Sequence, residues 1–132
     1  MEVIKGGLGE PDGGLLSAAD IFAIDDVEYI DVPMPEWTPK GAEVPRKIRL
    51  RTLTHDELMA YTEELKDEKN AKQGNVLIVI RTAVNADGSP MFTRAQAELL
   101  SKKSAKAFTR LAREAGILNG VRKADADKAG KE

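Results

Sequence analysis

The stretch Arg46–Lys66, RKIRLRTLTHDELMAYTEELK, constrains this chain more than any other. Ile48 and Leu50 alternate with Lys47, Arg49 and Arg51, the period of two that a half-buried strand requires. At Leu53 the period changes. Thr54 and Glu57 have the spacing of a capping box, in which each side chain satisfies a free amide of the first helical turn. Leu53 and Leu58 flank the cap as a hydrophobic staple, and Leu58, Tyr61 and Leu65 then fall on one helical face. A strand must therefore run directly into a helix, with no room for a long loop between them.

The strand needs a partner, and the preceding residues supply one. In Val27–Met34, Ile30, Val32 and Met34 share one face, while Pro33 and Pro35 cannot donate ladder hydrogen bonds. This predicts an edge strand or a strand end. Residues 35–45 form a loop with the only tryptophan, Trp37, and are too few for a helical crossover. The two strands are expected to pair antiparallel.

Elsewhere the chain reads as helices and turns. Ser17 caps a short helix over Ala18–Ala23. A charged link, Asp67–Gly74, follows the capped helix. Val76–Val84 is β-branched enough for a strand, but Val76, Ile80 and Val84 recur at four-residue steps, and the segment is read as a buried helix. Asn85–Pro90, NADGSP, is a turn. Thr93 and Gln96 repeat the capping-box spacing and open a short helix to Leu100. Ser101 or Ser104 opens the last helix, with Ala105, Phe108, Leu111, Ala112, Ala115 and Leu118 as its apolar face and Lys102, Lys106, Arg110 and Arg113 opposite; Asn119-Gly120 ends it. The expected fold is α+β, a small antiparallel hairpin on a mainly α-helical body of about four helices. A glycine-rich leader (1–16), a single domain (17–120) and a disordered polar tail (121–132) complete the organisation.

Composition narrows function by exclusion. There is no cysteine, which removes disulfides, thiol catalysis and cysteine metal sites, and fits a reducing compartment. The net charge is -2, so no global field draws the chain to nucleic acid. Neither a signal peptide nor a membrane span is visible; the longest apolar run is Val76–Ile80. These features describe a soluble cytoplasmic protein. His55, the only histidine, sits beside Asp56 and Glu57 in a helical first turn, where the dipole favours acids, and no second histidine or cysteine exists to complete a zinc site. Asp25, Asp26, Glu28 and Asp31 lack the spacing of a calcium loop, and the leader glycines lack the Gly-Lys-Ser/Thr ending of a phosphate loop. With one histidine at a helix start there is no triad. No enzyme, cofactor or metal is expected.

The order of these pieces resembles a family. Ser17-Ala-Ala-Asp-Ile-Phe is followed by an acidic strand into Val32-Pro33 and Pro35-Glu36-Trp37. Then come the basic strand Lys47–Arg51, Leu53-Thr-x-x-Glu57 opening a helix, an apolar segment, the turn Asp87-Gly88-x-Pro90-x-Phe92-Thr93 and a closing helix. Over residues 17–120 the chain is similar to the tail assembly chaperones of long-tailed bacteriophages with non-contractile tails. The resemblance implies a non-catalytic protein that binds the tape measure protein, keeps it soluble in the host cytoplasm, and is absent from the mature virion. It also implies possible contacts with the tail tube protein and with other copies of itself. Candidate contact residues are Leu58, Tyr61, Leu65, Leu77, Ile80 and Val84. Many members have a longer form made by ribosomal frameshifting, and Ala129-Gly130-Lys131 is compatible with a slippery run. Two other readings compete: a phage head–tail connector or tail terminator, and a small nucleic-acid-binding regulator using the stripe Lys102–Arg113.

Overall fold

The computed structural model describes residues 13–121. Most of the expected leader, the expected tail and the tripeptide Ala129-Gly130-Lys131 lie outside the described residues.

Strand β1 (Tyr29–Pro33) pairs antiparallel with β2 (Lys47–Arg51), in the register Ile30 to Leu50 and Val32 to Ile48. Their apolar faces coincide, and Val32, Met34, Ile48 and Leu50 are buried. The loop between them is a built piece. A single 3-10 turn, Pro35–Trp37, is followed by Thr38, whose Oγ1 donates to the Met34 carbonyl at 2.7 Å and accepts from Arg46 N–H at 2.8 Å.

Helix α2 (His55–Glu64) opens as its spacing predicts. Thr54 Oγ1 accepts from Glu57 N–H at 3.1 Å, and Glu57 Oε1 accepts from Thr54 N–H at 2.9 Å. Part of the charged link is a one-turn helix, α3 (Glu68–Ala71), because Asp67 Oδ1 accepts from the Lys69 and Asn70 amides.

Helix α4 (Gly74–Thr82) is the centre of the molecule. Val76, Leu77, Ile78, Val79 and Ile80 are all buried, as a helix apolar on every side must be. The segment read as one helix through Val84 splits. The helix ends at Thr82, and Ala83–Val84 form a third strand, β3, paired antiparallel with β2. Two backbone ladders compete for these residues. The inner edge of β2 offers partners at Leu50 and Arg49, so the last two residues leave the helix and the hairpin becomes a three-stranded sheet ordered β1-β2-β3. The turn after β3 is closed by Asn85 N–H to Ser89 C=O at 2.8 Å, with Gly88 at φ +90°.

A 3-10 turn (Arg94–Gln96) and the short α5 (Ala97–Leu100) lead to α6 (Ala105–Leu118). Ser104, rather than Ser101, caps α6. Phe108, Leu111, Ala112 and Ala115 are buried against α4; Ala105, expected on that face, is exposed. Gly120 (φ +73°) closes the helix, with Gly120 N–H bonded to Ile117 C=O and Val121 N–H to Gly116 C=O, the two bonds of a Schellman motif.

The expected solvated stripe on α6 is divided. Lys102 and Lys106 are exposed, but Arg110 reaches across to the sheet, where Nη1 donates to Pro33 C=O at 2.9 Å and Nη2 to Glu36. It is a brace between α6 and the β1–β2 loop rather than a free cation.

Candidate docking grooves

The strand-to-helix join and α4 enclose a cleft of 310 Å³. Leu53, Leu77 and Ile80 form its apolar floor. Ion pairs form its rim. Arg51 holds Glu57 in a bidentate pair at 2.8 and 2.9 Å. Glu64 takes Arg94 Nε at 2.8 Å and Arg81 Nη2 at 3.3 Å, and Arg94 is steadied by Asn70 Oδ1 at 3.0 Å. Three guanidiniums against two carboxylates leave this rim at +1.

The rim carboxylate Glu57 is held ionised. Its bond from Arg51, assisted by the Thr54 amide, outweighs partial burial and lowers its pKa to about 2. Such a group is poorly suited to donating a proton near neutral pH. The cleft can hold an apolar surface flanked by polar groups. Among the described residues, no group of three or more His, Cys, Asp or Glu side chains is placed to hold a metal ion, and no helix is long and apolar enough to cross a membrane. His55 is exposed on the first turn of α2, and Asp31 is bound by Arg49 at 2.7 and 3.0 Å.

The six candidate contact residues do not share one surface. Leu77 and Ile80 reach the cleft from below, as its floor. Tyr61 and Leu65 turn toward the core, and Tyr61 OH donates to Gly74 C=O at 3.1 Å. Leu58 is half-buried on the same helix. Val84 is buried in β3, opposite Arg49. The rim residues Glu64, Arg81 and Arg94 escaped sequence reasoning because Arg94 meets Glu64 across 30 positions, and no local pattern encodes that meeting.

A second groove, of 470 Å³, lies between the β1–β2 loop and α5. Trp37, Pro39, Phe92 and Leu100 line it, and Glu36 and Lys103 stand at its edge. Behind it, Trp37 packs edge-on against Phe108, with ring centroids 5.3 Å apart. The sequence marks Trp37 as the sole tryptophan but not as one wall of a groove completed 55 residues later.

No family model matches the chain, and no curated protein sequence matches it. Among solved structures, the bacteriophage HK97 tail assembly chaperone aligns with a TM-score of 0.53 and 21% identity, covering 72% of this chain and 84% of that one. The α+β arrangement of a three-stranded antiparallel sheet against helices is thus a fold this chain shares with a phage tail assembly chaperone.

Proposed function

We propose that this protein is a non-catalytic phage tail assembly chaperone that binds a helical segment of a tape measure protein and keeps it soluble. The observation that carries the reading is the fold shared with the HK97 tail assembly chaperone. The cleft over Leu53, Leu77 and Ile80 is the proposed seat. Its apolar floor suits the apolar stripe of an amphipathic helix, and its +1 rim favours acidic residues beside that stripe. A tape measure protein is a very long helical chain that aggregates if its apolar side is left uncovered, which is the physical need for a chaperone. The protein acts in the host cytoplasm and leaves before the virion matures. A longer form, made by slippage at the codons for Ala129-Gly130-Lys131, belongs to the same proposal and is checked by reading those codons.

The test is co-expression with the very long helical protein encoded in the same gene neighbourhood. Increased solubility and a co-purifying complex are expected, with both reduced by Arg94→Glu at the rim. Unchanged solubility with no complex would refute the reading. Mass spectrometry of purified virions separates it from a connector or terminator, which would remain in the particle.

A further inference from the structure

Helix α2 meets the rest of the molecule through polar groups. It is longer than α4, yet α4 and α6 bury six residues each and α2 buries none. The short helix α1 (Ala18–Ala23), capped by Ser17, buries none either, but it forms no ion pair with another element among the described residues. The half-buried residues of α2 and its C-cap are Glu57, Leu58, Tyr61, Glu64 and Leu65, at the spacing of one helical stripe. Two of these side chains are carboxylates. Glu57 rests on Arg51, Glu64 on Arg81 and Arg94, and Tyr61 OH on the Gly74 carbonyl. Tyr61 and Leu65 add apolar contact with the core.

This stripe has the chemistry that the cleft asks of a partner. It sets apolar side chains beside two carboxylates that are about 10 Å apart along the helix. The guanidiniums that receive them come from β2, α4 and the 3-10 turn before α5, and the apolar floor is Leu53, Leu77 and Ile80. With α2 in place the cleft has 310 Å³, the small end of pockets that enclose a small ligand. It admits side chains, whereas a helix about 10 Å across needs α2 out of the way. Joints for that movement are present. Leu53 belongs to neither β2 nor α2 and is pinned by Asn119 Oδ1 at 2.6 Å, and residues 65–67 separate α2 from α3.

We infer that α2 is an internal substitute for the partner: an amphipathic helix with two carboxylates seven residues apart beside its apolar stripe displaces α2 and takes over Arg51, Arg81 and Arg94. The inference rests on the reading of the cleft as the seat of a helix. When Glu57 and Glu64 leave, the rim passes from +1 to +3, so an acidic helix is drawn to the opened cleft and a neutral one is not. The exchange replaces like with like. Each guanidinium regains a carboxylate, and the floor is covered again. Until a partner arrives, α2 shields Leu77 and Ile80 from water.

Hydrogen exchange of the full chain tests this with a synthetic leucine-rich amphipathic peptide carrying two glutamates seven residues apart, and with its glutamine counterpart. A lone helix of ten residues is unstable in water, so displaced α2 unfolds. The expected result is that the glutamate peptide binds and speeds exchange at residues 57–65 at least tenfold, while the glutamine peptide binds roughly tenfold more weakly. Glu57→Gln with Glu64→Gln retains the capping box, because the amide oxygen still accepts from Thr54 N–H. This variant should exchange faster at α2 before any peptide is added and bind the glutamate peptide about tenfold more tightly. A bound peptide that leaves α2 exchange unchanged or slower would overturn the inference, and the chaperone reading would stand. So would a glutamate peptide that does not bind, equal binding of the two peptides, or a double variant that binds no more tightly. Displacement of α2 by the peptide, with no complex formed on co-expression with the tape measure protein, would uphold the inference and remove the chaperone reading instead.

Discussion

Asn119 ties the end of α6 to the join between β2 and α2, and its removal makes a sharp test. Asn119 Oδ1 accepts from Leu53 N–H at 2.6 Å, while Nδ2 donates to Ala115 C=O at 3.0 Å and more weakly to Arg51 C=O at 3.4 Å. Leu53 lies outside both the β2 ladder and the α2 helix, so neither element offers its amide a replacement. In Asn119→Ala the half-buried Leu53 amide loses its partner, which costs roughly 1–2 kcal/mol. The Ala115 carbonyl keeps its bond from Asn119 N–H, so little is added there. For a domain of this size each kcal/mol lowers Tm by about 3–5 °C. Thermal unfolding measures the total, and hydrogen exchange at Leu53 locates it. Asn119→Asp retains the acceptor, so it should preserve Leu53 protection while still losing stability through a negative charge at the C-terminal end of α6. If Asn119→Ala melts like the parent chain and Leu53 remains protected, the account of this join is wrong.

Three further outcomes follow from the packing and the ion pairs. Phe108→Ala should cost roughly 3–5 kcal/mol in urea unfolding, because it opens a core cavity and removes the edge contact to Trp37; Leu58→Ala, only half-buried, should cost about 1 kcal/mol. Arg110→Ala should lower Tm measurably while Lys106→Ala leaves it unchanged, since only Arg110 bridges to Pro33 and Glu36; equal melting of the two variants would contradict the brace. The depressed Glu57 carboxyl contributes stability that is full above about pH 4.5 and is lost as pH falls toward about 2. Its side chain is 38% exposed, so solvent screening reduces this contribution to about 1 kcal/mol. The stability gap between the parent and Glu57→Gln should accordingly close between pH 4.5 and 2, and a gap that persists at pH 2 would disprove the assignment.

What the sequence determined by itself was local. The Thr54–Glu57 box, the strand alternation at Ile48 and Leu50 and the Asn119-Gly120 stop are short-range devices, and each is read from residues within four positions of one another. Only the tertiary structure decided the rest, because there the competing partners are distant in the chain. Val84 is an acceptable helix residue by spacing, and it became a strand only because β2 had an unfilled edge. Arg110 has the same pattern as its solvated neighbours, and it became a brace because Pro33 and Glu36 lie within its reach, more than 70 positions away. The floor residues Leu77 and Ile80 could be named from the sequence as apolar. That they lie under a rim of Glu57, Glu64 and Arg94 depends on how α2, α4 and the turn after β3 pack, and no local spacing records that.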